Sequence, residues 1–575
     1  MPVKMTDRER ARDIASRHEY LKLIRQPFEA VVDEILEFVR QARKINATAK
    51  GQALTGNVYD GTPLSALNLW ADGMYGYLCS PNLDWFSLTL PYTSSFSRGS
   101  RNMRQWNDKR IDEIPEVSQY LDDCVTVMRA ALLRSNFYAI MPQFFRDGGS
   151  VGTAVMDCEE ELKSGKIFFT PMHFREFCIA ESMTGLADTI YRRYPVTAKN
   201  LVERFGIEKM ESVKQGFKQM YARSPYEEFY VVRAIQPRSD YDEKKIDAKN
   251  MPWASYWMLE GEPRMLLDES GYRHFPSIVW RYRKETDEIY GRSPAWDAYS
   301  EIMLGNQEAR TNLIAGQKMA EPPMVAPDYL RGLINSNPRG WTWVESMNEV
   351  PQSLNERMNL PFAVEMRERT DKAIEKHFHV DFFLMLSQAA ANQIELTATQ
   401  VIQMAGEKAA VLATRTDTLN IEAMNQIIDR VWDIETAAGR MPMPPDVLME
   451  FEGANIEVDY LGPLAQAQKT MFQTQGIRAS LADISQIAAL NPEALDVFNS
   501  TEAVRQILKA NRVPARVINS QDQIDAMREM RNKQAQMQQA LESGTQIAGA
   551  LPAAGKEVSE NSPLGALMGA AGGMQ

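Results

Sequence analysis

The chain has 575 residues, 44% of them hydrophobic and 9% aromatic, enough for two to four domains with real cores and not the composition of a disordered chain. A formal charge of −12, from 64 basic and 76 acidic residues, argues against a protein that grips nucleic acid by neutralising phosphate over a broad surface, although a surface that DNA must pass without sticking would also be acidic. Four scattered cysteines, Cys79, Cys124, Cys158 and Cys178, form no CxxC pair and suggest a reducing compartment without zinc knuckle or disulfide framework.

The first ten residues contain no apolar signal region, and no uninterrupted apolar run approaches the roughly 18 residues of a membrane span, so no membrane association is expected. Ile14, Leu21, Ile24, Phe28, Val31, Ile35 and Phe38 predict a helix from Thr6 to Arg43 with a break near Pro27. Thr62-Pro63 opens a second helix through Leu67, Trp70, Met74 and Leu78, and Trp85 to Leu90 reads as a strand. The polar loop that follows carries Arg98, Arg101, Arg104 and Lys109, which could touch phosphate or an acidic neighbour but fit a solvated loop at least as well. Helical spacing resumes from Pro115 to about Phe145, and Asp147-Gly148-Gly149-Ser150-Val151-Gly152 reads as a helix-to-strand turn needing positive φ.

Strands are then expected at Gly152 to Glu159 and Ile167 to Thr170, joined by a hairpin turn over Lys163 to Lys166, and at Thr189 to Arg193, Phe229 to Ile235, Trp253 to Leu259 and Ile278 to Tyr282. A short helix from Thr197 to Phe205 stops at Gly206. The segment up to residue 292 is therefore an α+β domain. Ser293-Pro294 starts a long helix with Ile302, Leu304, Leu313, Ile314 and Met319, which Pro322-Pro323 ends. A turn-rich insert to residue 354 contains Asn337-Pro338-Arg339-Gly340 and the strand-like Trp341-Thr342-Trp343-Val344. A return helix runs from Asn355 to Phe383, where Glu365/Arg369 and Glu368/Lys372 have the i,i+4 spacing of a solvated, ion-paired surface. Such a hairpin has little to bury against within one chain, which points to packing against copies of itself.

Leu384 to Leu396 is a small-residue, amide-rich stretch with Gln388, Asn392 and Gln393, and Thr397 to Ala438 is one long helical pattern. Helical pieces continue from Leu461 to Leu541, and Ser543 to Gln575 has the Gly/Ala-rich, aperiodic composition of a flexible tail.

Catalytic signatures are poorly supported. Gly56 to Thr62 has the glycine spacing of a phosphate loop, but Thr62 stands where its lysine belongs. His377 and His379 would point apart on a helix, with no third ligand nearby. Glu159-Glu160-Glu161 and Asp122-Asp123 read as charged turn and helix surface. No cofactor, metal or catalytic residue is assigned, and the expectation is a structural protein rather than an enzyme.

Five stretches in order resemble the portal, or head-to-tail connector, proteins of T7-like short-tailed bacteriophages: Ala66 to Leu88 with Ser80-Pro81 and Trp85-Phe86-Ser87-Leu88; Asp147 to Glu160 with Gly152-Thr153-Ala154, continued by Arg192 to Gly206; Tyr290-Gly291-Arg292-Ser293-Pro294 with Asn306-Gln307-Glu308; Leu396 to Val401 through Glu407-Lys408; and Tyr460 to Gln468. The resemblance implies an α+β, mainly α fold in a ring, usually of twelve subunits, at one capsid vertex, with wing, stem, clip and crown around an axial DNA channel. It places the wing at 1–292, stem helices at 293–321 and 355–383, the clip at 322–354, a channel loop and long wing helix at 384–440, and the crown at 441–542. Gln388, Asn392 and Gln393 would face the channel, Arg339, Trp341 and Trp343 would lie at the clip interface, and Glu365, Glu368, Arg369 and Lys372 on the stem. The implied partners are further copies of the chain, the major capsid and scaffold proteins, the large terminase subunit, a tail adaptor and duplex DNA in transit. The implied location is the virion, after assembly in the host cytoplasm. A DNA-packaging ATPase or nuclease, and an internal scaffold or tail-tube protein, are the rival readings; the phosphate loop without its lysine and the strand-bearing first half count against them.

Overall fold

The computed structural model describes residues 6–40, 56–90, 95–96, 115–161, 165–261 except 239, 243, 244 and 246, 266–326, scattered positions between 328 and 353, 360–391, 414–461 except 450 and 453–455, 524 and 526–536. Two compact units divide the chain, Met1–Ala503 and Val504–Gln575. Of the second, residues 526–536 are helical and exposed; the expected flexible tail and most of the segment from 462 onward lie outside the described residues.

Helix α1, Asp7–Val39, begins with a capping box in which Thr6 Oγ1 accepts from the Glu9 backbone N–H while the Glu9 carboxylate accepts from that of Thr6. It runs unbroken through Pro27, where a kink is expected from the lost hydrogen bond and the ring clash, a cost of about 3 kcal/mol. Contacts on both sides of the exposed proline offset that cost. Arg25 donates to the carbonyls of Phe174 and Phe177, and Phe28 packs on Tyr290 and Trp296 at ring-centroid distances of 5.4 and 6.2 Å. The helix also joins three cores, through Ala11, Ile14 and Leu21, through Val32 and Leu36, and through Ile35 and Val39.

The main core lies among α2 (Thr62–Leu78), β1 (Phe86–Thr89), α3 (Pro115–Arg134) and α4 (Phe137–Val151). Gly148 and Gly149, expected in a turn, are inside α4. A Cβ on Gly148 would sit 2.3 Å from the Trp280 ring and one on Gly149 would sit 2.6 Å from Trp70, whose rings stack at 6.5 Å. These glycines are therefore required for close packing, and only Gly152, at φ +90°, meets the left-handed requirement.

A three-stranded antiparallel sheet orders β10 (Ser277–Arg281), β3 (Thr153–Glu161) and β4 (Lys166–Met172). A five-stranded one runs β5 (Phe177–Glu181), β6 (Ala187–Thr197), β7 (Glu228–Pro237), β8 (Trp253–Leu259) and β9 (Asp268–Tyr272), with α5 (Ala198–Phe205) following β6 from its Thr197 cap. Strands β5 and β9 are absent from the sequence expectation. The acidic run at the end of β3 is only partly the charged surface expected. Glu159 pairs with buried Arg233, which also reaches Asp157 at 3.0 Å, and burial pushes the Asp157 carboxyl up.

His18 stacks on Tyr191 with centroids 6.1 Å apart, and burial lowers its pKa to about 4. The unfolded chain then takes up a proton near pH 6.5 that the folded chain refuses until about pH 4. Stability contributed by neutral His18 is thus present above pH 6.5 and lost as pH falls through that window, by about 2–4 kcal/mol at ~1.4 kcal/mol per pKa unit. Urea titrations at pH 4, 5, 6 and 7 are expected to show a shallower pH slope in His18→Gln; an unchanged slope contradicts this assignment.

The chain returns to the same core after residue 360. Beyond 397–413, which lie outside the described residues, the expected long helix continues as α-helix over 414–419, a π turn at Asn420–Met424 and α-helix at Asn425–Ala437. The π turn carries Glu422, a carboxylate 7% exposed. It accepts from the Arg281 backbone N–H at 2.8 Å and from its guanidinium, a group that is 1% exposed and also pairs with Glu181. Strands β13 (Phe451–Glu452) and β14 (Glu457–Tyr460) then pair antiparallel with β2 (Ser95–Phe96) and β1. The core is thus discontinuous in sequence, with the hairpin of residues 299–377 inserted between its halves.

Candidate functional site: the helical hairpin and its foot

Ser293 caps a short helix, Pro294–Asp297, by accepting from Trp296 N–H, and its hydroxyl donates to the buried carbonyl of Ser150 at 2.9 Å. The outgoing helix, Tyr299–Ala320, spans about 33 Å at ~1.5 Å per residue, and packs beside the returning helix, Leu360–His377. Between them Met324–Val325 pairs antiparallel with Gln352–Ser353.

At the foot, Ile302 and Ala309 of the outgoing helix and Ile374 of the returning one are buried. Gly305 permits the close approach, since a Cβ there would lie 3.0 Å from Asp60 Oδ2 and 3.3 Å from Thr370 Cγ2. The segment weighed as a phosphate loop is instead a clasp. Tyr59 N–H donates to Asn306 Oδ1 at 2.7 Å, and Asn306 Nδ2 donates to the Asn57 carbonyl at 3.0 Å. Buried Asp60 accepts from Thr62 N–H and from Arg367, both at 3.0 Å. Asp371 accepts from the Thr62 hydroxyl at 3.2 Å; burial and then the charge of Asp60 raise its carboxyl pKa.

Away from the foot the hairpin turns apolar side chains outward. Leu304, Leu313, Ile314 and Met319, the residues expected to form the apolar face of the outgoing helix, are about half exposed, as are Phe362 and Val364 on the return. A single chain leaves this surface in water, against the usual arrangement of an amphipathic helix.

Glu365, Glu368, Arg369 and Lys372 are exposed on the returning helix, where the i,i+4 ion pair formed is Arg367 with Asp371 at 3.6 Å. Trp343 is exposed, while Arg339, Trp341, Asn392 and Gln393 lie outside the described residues. The expected continuous helix to Phe383 is broken at His379, φ +53°, which lets Phe378, Phe382 and Phe383 all enter the core; Phe383 fills the space beside Gly73. The loop expected from Leu384 is helical as far as Ala391, in a second helix Val380–Ala391 that includes Gln388. Leu, Met, Gln and Ala are strong helix formers, so local propensity favours that outcome. His377 and His379 meet no third ligand. Among the described residues no group of three or more His, Cys, Asp or Glu is arranged to hold a metal ion, and no helix is long and apolar enough to cross a membrane.

Segments distant in sequence also meet within the first unit. Gly152 and Gly291 touch, a Cβ on Gly291 falling 2.5 Å from the Gly152 carbonyl oxygen, and Gly291 N–H donates to Thr153 Oγ1 at 2.8 Å. Phe86 is opposite Tyr460, and Leu461 N–H donates to the Trp85 carbonyl at 2.8 Å. Four of the stretches that carry the family resemblance are thus two contacts. Residues 11–518 match the family described as bacteriophage head to tail connecting protein. The chain belongs to that family. Among relatives of this connector, the "Portal protein" of Salmonella phage epsilon15 is 28% identical over 530 residues, covering 90% of each chain. The "Probable portal protein" of Bordetella phage BPP-1 is 26% identical over 461 residues, covering 78% of each. Sequence reasoning missed Asp60, Arg367 and Asp371 and named Asn306 only as part of a family motif; the clasp contacts join residues about 250 to 310 positions apart, and only the Arg367/Asp371 spacing was visible locally.

Proposed function

We propose that this connector is the portal of a short-tailed phage: a non-enzymatic ring, of twelve copies by family resemblance, at one capsid vertex, through which duplex DNA enters and leaves. The family match across residues 11–518 carries this reading, and the outward apolar surface of the hairpin supports assembly with further copies. The hairpin helices serve as the stem, the segment between them as the clip and residues 384–396 as the channel face, with Gln388, Asn392 and Gln393 toward the DNA. Residues 1–292 and 397–438 serve as the wing, and residues 441–542 as the crown. The acidic balance suits a lumen that duplex DNA slides past. Capsid and scaffold proteins surround the ring during assembly in the host cytoplasm. The large terminase subunit docks on the clip during packaging, and a tail adaptor later takes its place in the virion. A gold label on a tagged copy of the chain tests the location: it should mark one vertex per particle, and marking of all vertices would overturn the reading.

We assign Arg339, Trp341 and Trp343 to the clip interface, since aromatic anchors dominate many protein contacts. Trp341→Ala with Trp343→Ala is expected to reduce DNA-filled heads at least tenfold, through weaker ring assembly or motor docking. Normal filling, scored by nuclease-protected DNA, would remove these residues from the interface.

A further inference from the structure

The tip joining β5 to β6 is a firmly built protrusion. Ser182 N–H donates to the Leu186 carbonyl at 2.9 Å, Gly185 N–H to the Ser182 carbonyl at 3.0 Å, and the Ser182 and Thr184 hydroxyls are 2.6 Å apart. Gly185 takes the left-handed backbone, φ +79°, that closes the turn. From behind, Arg281 donates to the Gly185 carbonyl at 2.8 Å, and Lys284 reaches Glu181 at 2.8 Å. On this tip Met183 is fully exposed and Leu186 is partly so. A long apolar side chain held in water by so many polar contacts is a knob without a hole.

At the far end of β6 lies a hole without a knob. A cavity of about 340 Å³ opens between the sheet and helix α5, walled by Tyr194, Phe205 and Trp257, with Asn200 and Arg204 at its side. The Arg204 guanidinium lies 4.0 Å from the centre of the Trp257 ring, and Phe205 meets that ring edge-on at 5.6 Å. Trp257 is 3% exposed, so Tyr194 and Phe205, both partly exposed, offer the accessible ring surface. Such ring edges suit a thioether, with which they make favourable contacts.

Knob and hole cannot meet within one subunit. Leu186 and Tyr194 are eight residues apart on one extended strand, about 26 Å at ~3.3 Å per residue. Different patches at opposite ends of one rigid element are what a head-to-tail contact requires, and such contacts form rings when the rotation between copies closes. We propose that in the assembled ring the Met183 tip of each subunit seats in the Tyr194–Phe205–Trp257 cavity of its neighbour. This rests on the ring reading and adds to it a wing-to-wing contact independent of the hairpin.

The test is cross-linking in the assembled full-length protein. Met183→Cys with Asn200→Cys, treated with a short bis-maleimide, should give a ladder of covalent oligomers on denaturing gels, while either single variant should give none; the four native cysteines are buried. Met183→Asp should in addition lower the concentration of denaturant at which rings dissociate, whereas Met183→Leu should restore it. Rings visible by negative stain but without a ladder in the double-cysteine variant would overturn this contact and leave the ring reading standing. Failure of the unmodified protein to form rings would overturn both.

Discussion

Leu313→Asp combined with Ile314→Asp is expected to leave a folded subunit that no longer assembles. Both side chains are about half exposed on the outgoing helix of the hairpin, so neither supports the fold of its own chain. A surface carboxylate on an exposed helix costs the monomer little, typically within about 0.5 kcal/mol. In the proposed ring, neighbours would cover the same positions. Each apolar side chain removed from water there contributes about 1.5–3 kcal/mol, and an aspartate in its place adds the cost of burying charge. Two substitutions per interface therefore weaken subunit association by at least about a hundredfold, at ~1.4 kcal/mol per factor of ten. Sedimentation velocity should report monomers with an unchanged circular dichroism spectrum and thermal midpoint. Rings of normal size would show that this apolar surface does not lie between subunits.

Glu422→Ala should produce the largest loss of stability of any single change considered. Its carboxylate satisfies both the backbone N–H and the guanidinium of Arg281, a side chain 1% exposed, and so ties the π turn at Asn420–Met424 to strand β10 across 141 positions of sequence. Truncation leaves the Arg281 charge compensated only by Glu181 and its N–H without an acceptor. Breaking a buried pair in this way costs about 3–5 kcal/mol. Removing both charges, with Arg281→Met and Glu422→Leu together, is expected to cost less than Glu422→Ala alone, because no unpaired charge remains. Urea midpoints for the singles Glu422→Ala and Arg281→Met and for the double variant check the order. A double variant as unstable as the sum of the two singles would mean that the residues act independently.

Local signals carried much of the fold. Runs of β-branched and aromatic residues identified β6, β7, β8 and β10 to within a few residues, and the Thr197 and Ser293 caps are where side-chain chemistry requires them. What failed depended on tertiary partners. Pro27 sits in an unbroken helix because Arg25 and Phe28 anchor both sides of it. Asp268–Tyr272, with an acid, a serine and a glycine, has weak strand propensity and is ordered by pairing with β8. Gly148 and Gly149 look like a turn until Trp280 and Trp70 are laid against them. Glu365, Glu368, Arg369 and Lys372 are exposed in the single chain, where the ion pair formed is Arg367 with Asp371, and the Asp60 clasp at the hairpin foot joins residues that no local pattern connects. Two of the short motifs that carried the family resemblance, Gly152-Thr153 and Gly291, pack directly against each other.

The central claim is that the hairpin completes its burial against copies of itself around a channel. Negative-stain electron microscopy of the purified full-length protein tests it most directly: rings with a stain-filled central hole are predicted, and compact monomers at all accessible concentrations would contradict it.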